Sequence, residues 1–346
     1  MVTVLAIMAA LWGFGAVMKT AYTPRLVMIA LVYGVVVLGH FVLPEGHPLR
    51  IATGETAAPW LILGGAVLLV LAYRAGLNRL RRVAQPVITP APRQSGTFTP
   101  EELERYARHI TLPDIGGQGQ KALKSAKVLV VGAGGLGSPV LLYLAAAGVG
   151  RIGVIDADHV SLSNLQRQII HRDADQDMPK VFSAERAMKA INPHLDIRPY
   201  NRALDETIAA ELFADYDLII DGTDQFETRA MINRAAVSAK RPLLAGAISA
   251  WEGQITLYDP SAGGACMACV FPNPPQAGMA ATCAETGVIG ALPGVVGTMM
   301  ALEAIKQITG AGQGLLGRML LYDGLAPETR IVKLKRNAAC PVCAGD

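Results

Sequence analysis

Cysteine is scarce, aromatic residues are few and net charge is small in this 346-residue chain. Five cysteines exclude a disulfide scaffold, which needs a far denser set in a much shorter chain. Aromatics account for 5% of residues and apolar residues for 51%, so the apolar surface is mostly aliphatic, with the excess in the first eighty residues. A net charge of +3, with cations scattered or gathered just after an apolar run, gives no basic field suited to nucleic acid. Internal repeats and low-complexity tracts are also missing.

Charge is absent where the apolar runs are. Val2–Met18, Leu26–Leu43 and Ala57–Tyr73 hold no Asp, Glu, Lys or Arg, and each approaches the roughly 20 residues that span a bilayer. They predict a membrane region over 1–82 with transmembrane helices at about 2–18, 26–43 and 57–76; the third run is the least regular, containing Gly64-Gly65. A signal peptide is the rival for the first run, but no Lys or Arg precedes it and no cleavage site follows. Lys19 and Arg25 lie after the first run, Glu45 and Glu55 after the second, and Arg74, Arg79, Arg81 and Arg82 at the end of the third. The bias of cations toward the cytoplasm then puts the N-terminus outside and the rest of the chain inside, as a multi-pass protein of the inner membrane. The arginine cluster suits anionic lipid. His40 is either an intramembrane site or an interfacial residue, and Trp60 reads as an interface anchor.

Residues 83–98, with prolines at 86, 90 and 92, form a Pro-rich linker of the semi-rigid, extended kind. Thr99-Pro-Glu-Glu is a helix start, Thr as N-cap and Pro in the first turn, and opens a module over 99–346. Strand-like and helix-like segments alternate as far as Leu244. Later strand-like runs, Ile255–Tyr258, Met319–Tyr322 and Ile331–Lys335, have no helix between the last two. The expected class is α/β, a Rossmann-like nucleotide-binding fold with a mixed sheet, parallel first and antiparallel later.

Gly132-Ala-Gly-Gly-Leu-Gly follows the apolar run Val128–Val131 and precedes a helical pattern over Ser138–Ala147. Gly132 permits a tight turn, Gly134 or Gly135 lets backbone approach phosphate, and Gly137 lets helix and strand pack closely. Asp156 ends the run Ile152–Ile155 at the distance of a ribose carboxylate. Taken alone, this suggests a dinucleotide and an NAD-dependent oxidoreductase. Asn164, Arg167 and Lys180 add an amide and two cations after that carboxylate, a grouping suited to a triphosphate rather than to hydride transfer. A solvated basic loop is the plain alternative for either cation.

Cys266-Met-Ala-Cys269 and Cys340-Pro-Val-Cys343 are two C-x-x-C pairs able to close one tetrahedral zinc site, with a redox dithiol or two unrelated pairs as rivals. Cys283 stands apart, as an exposed loop thiol or a small buried residue.

From about Phe98 to Asp346 the chain resembles the adenylyltransferases that activate ubiquitin-like sulfur carriers, the molybdopterin-synthase and thiamine-thiazole branches of the ubiquitin-activating superfamily. The resemblance runs through Arg105-Tyr-Ala-Arg108-His-Ile, the glycine loop, Asp156-Ala-Asp158, Ser161-Leu-Ser-Asn-Leu-Gln-Arg167-Gln, Pro179-Lys180, Asp221-Gly-Thr-Asp224, Gly253-Gln-Ile-Thr, Thr282-Cys283 and both cysteine pairs. It implies that Asp156 holds the ribose, that Ser163, Asn164, Arg167 and Lys180 contact the phosphates of ATP, with Asp158 among the nucleotide-binding residues, and that Asp224 holds Mg²⁺. It implies that Arg108 reaches into the neighbouring subunit, hence a homodimer. Cys283 would link to the carrier or relay sulfur. The substrate would be a carrier protein ending in Gly-Gly, converted to an acyl-adenylate with release of pyrophosphate; with the chain ending just past the second cysteine pair, a separate sulfur donor is expected. Two departures stand out: Gln225 where the family has Asn, and Asp177-Met178 where a glycine is common. The first leaves open a non-catalytic membrane scaffold that keeps the fold.

Overall fold

A computed structural model describes residues 2–18, 22–84, 97–274, 287–326 and 328–344. They form two compact units that divide after Gln94. Cys283 and most of the Pro-rich linker lie outside the described residues.

The N-terminal unit is helical: Val2–Val17, Tyr22–Val42, the short Pro48–Thr53 and Ala58–Ala84. Pro24–Val42 and Ala58–Leu77 are long and apolar enough to cross a membrane. Val2–Val17, at 16 residues, reaches about 24 Å, short of a hydrocarbon core of about 30 Å. Trp60 is not an outward anchor. It is 1% exposed, packed with Val4 and Met8, and its indole N–H donates to the Thr53 carbonyl at 3.0 Å. Tyr33 meets the Trp60 ring edge-on at 6.1 Å and donates to the Trp60 carbonyl. Gly64 makes this possible, since a Cβ there would strike the Tyr33 hydroxyl. His40 is buried with its Nε2 3.0 Å from the Thr53 hydroxyl.

In the second unit Thr99 is the N-cap of the helix Pro100–Arg105, as the sequence predicts, and completes a reciprocal capping box with Glu102. Eight strands follow: β1 Lys127–Val131, β2 Arg151–Ile155, β3 Asp196–Tyr200, β4 Leu218–Asp221, β5 Leu243–Ile248, β6 Glu252–Tyr258, β7 Arg318–Asp323 and β8 Glu328–Lys333. Their order is β3-β2-β1-β4-β5-β6-β7-β8, parallel through β5 and antiparallel from β5 to β8. The mixed sheet expected from the sequence is therefore present.

Both faces of the parallel part are covered, which explains its unbroken apolar runs. In β1, Val128 and Val130 face a core built with the helices Gly137–Ala147, Lys180–Ile191 and Ala291–Thr309, whereas Leu129 and Val131 face Ala209 and Phe213 of Glu206–Ala214 and Ile232 of Phe226–Ser238. β8 is exposed throughout and carries Glu328, Arg330 and Lys333, charges that protect an edge strand from pairing elsewhere. Strand order reverses between β1 and its neighbours β2 and β4, so a crevice opens at the carboxyl ends of these strands.

Candidate active site and four-cysteine cluster

A cleft of about 1170 Å³ occupies that crevice, lined by Gly132, Gly134, Gly135, Asp156, Asp158, Asn164, Arg167, Lys180 and Asp224 among others. Gly132 has φ +97°, and a Cβ at Gly137 would overlap the Gly132 carbonyl, so both positions require glycine for the turn from β1 into the helix. No side chain caps the helix Gly137–Ala147, which leaves its positive end open to an anion.

Asp156 is fixed by backbone. Its Oδ2 accepts from the Ala133 amide and its Oδ1 from the Asp158 amide, both at 2.8 Å. Each carboxylate oxygen keeps a second lone pair for a ribose hydroxyl. Arg167 donates to Asn164 Oδ1 at 2.7 Å, so amide and guanidinium are oriented as one unit. Lys180 is 4% exposed, and its ammonium lies 2.8 Å from the Asp158 carboxylate, itself 71% exposed. A polyphosphate entering the cleft competes with that carboxylate for the ammonium.

Asp224 is exposed on the cleft wall after β4. Asp221, at the end of β4, is fully buried: its Oδ1 accepts from the Thr223 amide at 2.9 Å and hydroxyl at 2.7 Å, and its Oδ2 lies 3.4 Å from Arg229 Nε. Burial pushes the Asp221 carboxyl above its ordinary pKa, against the pull of Arg229 and Thr223. Arg229, Arg202 and Arg330 also line the cleft, and sequence reasoning missed all three. For Arg229 a signal existed: a helix begins at Phe226, so its first turn after Asp224 faces the crevice.

Ser163 does not line the cleft; its hydroxyl lies 3.1 Å from that of Ser161, and its carbonyl accepts from Arg167 at 3.4 Å. Arg108 is exposed on the short helix Ala107–Ile110 and does not line the cleft of its own chain. Asp177 has φ +65°, the left-handed conformation that explains a preference for glycine there. Gln225 occupies the N-cap position of Phe226–Ser238 in extended conformation without a side-chain cap bond. Asparagine is short enough to cap. Gln225→Asn is expected to stabilise the protein by about 1 kcal/mol, read as a raised melting temperature.

Cys266, Cys269, Cys340 and Cys343 bring their sulfurs within 4.8 Å of one another. The separations Cys266–Cys269, Cys266–Cys340 and Cys269–Cys343 are 3.8, 3.6 and 3.5 Å. Four ligands at zinc–sulfur bond length on a tetrahedron stand roughly 3.8 Å apart, whereas a disulfide needs about 2.05 Å, so the donor set fits zinc and not a bridged pair. Burial raises the Cys266 thiol; at Cys340 burial is outweighed by the amides of Val342 and Cys343, and the thiol falls to about 7. The cluster packs against Val237 and joins the C-terminal tail to the short helix Met267–Val270, whose first amide donates to Asn233 at 2.8 Å.

Residues 106–342 match the ThiF family. The chain is 46% identical over 253 residues to the sulfur carrier protein adenylyltransferase of Thermus thermophilus, covering 72% of this chain and 93% of that one. It is 46% identical over 259 residues to the probable adenylyltransferase/sulfurtransferase MoeZ of Mycobacterium tuberculosis, with 74% and 65% covered. For the bovine adenylyltransferase and sulfurtransferase MOCS3 the values are 44% over 257 residues, 74% and 56%, so this chain spans little more than half of that relative. Among solved structures, MccB of E. coli with ATP shares the fold, with a TM-score of 0.61 at 22% identity over 69% of this chain and 74% of that one. With a family match over most of its second unit and a relative 46% identical across 93% of its own length, the chain belongs to the ThiF family.

Proposed function

We propose that this cleft adenylates the C-terminal glycine carboxylate of a ubiquitin-like sulfur-carrier protein, of the molybdopterin-synthase small-subunit type, using ATP and releasing pyrophosphate. The observation that carries this reading is the convergence of Asp156, Asn164, Arg167, Lys180 and Asp224 on one cleft at the open end of a helix, in a chain 46% identical to a sulfur carrier protein adenylyltransferase. The carboxylate attacks the α-phosphorus in line, the bond to the pyrophosphate oxygen breaks, and negative charge grows on the phosphate oxygens. Arg167 and Lys180 meet that charge, while Asp156 anchors the ribose. Asp224 would hold Mg²⁺, which supplies further charge neutralisation when bound. The four cysteines would hold Zn²⁺, in a structural role.

Arg108 completes the site of a second copy in a homodimer, which accounts for its distance from the cleft of its own chain. The N-terminal helices anchor the enzyme in the inner membrane with the catalytic unit in the cytoplasm, a placement supported by two helices of spanning length and by the arginine cluster at the end of the second. Cys283 serves later sulfur delivery rather than adenylation.

Exchange of labelled pyrophosphate into ATP tests the activity. Label is expected to enter ATP only when a carrier with an intact C-terminal glycine is present. Failure with every Gly-Gly carrier of the host cell would overturn the reading, and NAD reduction in its place would favour the oxidoreductase.

A further inference from the structure

Behind the glycine loop three buried side chains form a line that the chemistry above does not use. Asp175, Ser183 and His171 are 2%, 1% and 6% exposed. Ser183 Oγ lies 2.6 Å from Asp175 Oδ2 and 2.9 Å from His171 Nδ1, and His171 Nε2 lies 2.9 Å from the Ala133 carbonyl. Ala133 is also the residue whose amide fixes Asp156. The orientation of Ala133 therefore links this line to the carboxylate assigned to the ribose.

The line has a proton count. Its three hydrogen bonds need three hydrogens. An ionised Asp175, the Ser183 hydroxyl and a neutral His171 supply two, one from serine and one from the imidazole. The Ala133 carbonyl can only accept, so Nε2 must carry a hydrogen. If Ser183 donates to Asp175, Nδ1 must carry one too. If Ser183 instead donates to Nδ1, then Asp175 must be protonated. With one proton missing, some facing pair becomes acceptor against acceptor in a buried site, which costs free energy wherever it falls.

We infer that His171 is a positioning residue of the nucleotide site, and that the Asp175–Ser183–His171 line carries one extra proton when the glycine loop is set to receive ATP. The inference rests on the ATP reading of the cleft. The charged groups around the line come from each element packed on it: Arg186 pairs with Asp175 from the helix Lys180–Ile191, Lys180 stands at the start of the same helix, and Asp156 follows β2. Burial is the largest influence on His171 and pushes its pKa below the ordinary value, Lys180 acting with it, while the Ala133 carbonyl and Asp156 pull upward. The proton is thus held loosely and shared with Asp175, so that it titrates as a property of the line and leaves as pH rises. Once it is lost, the single remaining imidazole hydrogen is divided between Nε2, facing the Ala133 carbonyl, and Nδ1, facing Ser183; in the Nδ1 tautomer Nε2 is set acceptor against acceptor with Ala133, and ATP binding weakens.

Asp175→Asn isolates the effect. The new amide donates to Ser183, the serine donates to Nδ1, and a neutral His171 still donates to Ala133, so three hydrogens are present with no extra proton. Ser183→Ala interrupts the line and leaves the neutral imidazole bonded to Ala133, giving a second proton-independent protein should the first fail to fold. ATP dissociation constants are measured by calorimetry on the full chain in lipid nanodiscs, across roughly pH 4.5 to 7.5, a window set below the ordinary histidine range because burial lowers the His171 pKa. Titration of ATP itself is common to all three proteins and cancels in the ratio. Relative to either variant, the unaltered protein is expected to lose affinity by roughly fivefold to tenfold over this range. His171→Phe should bind ATP more weakly at every pH. An unaltered protein whose profile is no steeper than those of the variants would overturn the inference while leaving ATP binding intact; no ATP binding by any of them would overturn the ATP reading and the inference together.

Discussion

Lys180→Ala is expected to slow carrier adenylation by about 10² to 10³, with most of the loss in kcat. The ammonium sits at the cleft with 4% exposure and a single ion-pair partner, Asp158, on the solvent side. In such a site a fixed cation acts where charge develops, and water does not replace it in place when it is removed. Stability should change far less than rate, because Asp158 is 71% exposed and becomes hydrated once its partner is gone. Arg167→Ala should show a loss of similar size. Its guanidinium is held by Asn164 at 2.7 Å, so Asn164→Ala should reproduce part of the same defect by letting the arginine wander. Single-turnover pyrophosphate release at saturating ATP and carrier separates these effects from binding. A Lys180→Ala protein of near-normal kcat would remove the charge-stabilisation argument.

Much of this arrangement is legible in the residues because the chemistry constrains the backbone. The glycine loop must turn with φ +97° at Gly132 and must bring the helix against it at Gly137, so only one residue type serves at each. Apolar runs without alternation identify β1, β2 and β4 as strands covered on both faces. The four cysteines are legible for the same reason, since metal ligation fixes both residue type and local spacing. Other parts are set by packing between distant segments, which spacing does not encode. Trp60 has the composition of an interface anchor, yet Gly64 opens a niche for Tyr33 and the indole turns inward to the Thr53 carbonyl. His171 carries no motif at all; its role depends on Ser183 twelve residues on and on a carbonyl 38 residues back. Ser163 shows the converse, a motif residue whose hydroxyl lies beside Ser161 and away from the cleft lining. Arg330 reaches the cleft only because β8 pairs with β7, placing it opposite Leu321.

Cys343→Ser should remove the metal and lower the unfolding free energy by several kcal/mol, on the order of 5, because ligand binding and folding of the C-terminal tail are one process. The tail has few other anchors: Cys340 and Cys343 pack with Val237 and Cys266, and Arg336 donates to the carbonyls of Pro260 and Cys343. Metal analysis is expected to find one zinc per chain, lost in the variant and on acidification, since the ligands bind as thiolates and protons compete for them. A chelator should reproduce the drop in melting temperature, and a mild thiol reductant should leave it unchanged. The opposite pair of responses would mark a redox dithiol, against the 3.8 Å separation of Cys266 and Cys269. The effect should also reach the cleft with diminished size. Phe226–Ser238 starts beside Asp224, carries Asn233 and Val237 against the cysteine cluster, and belongs to the core beneath β4 and β5. Losing the metal loosens one end of that helix while Met231, Ile232 and Ala236 stay packed, so ATP affinity should fall much less than stability. Equal losses of both would mean that the cluster orders Asp224 directly, and that the zinc is part of the active site instead of a clasp on the tail.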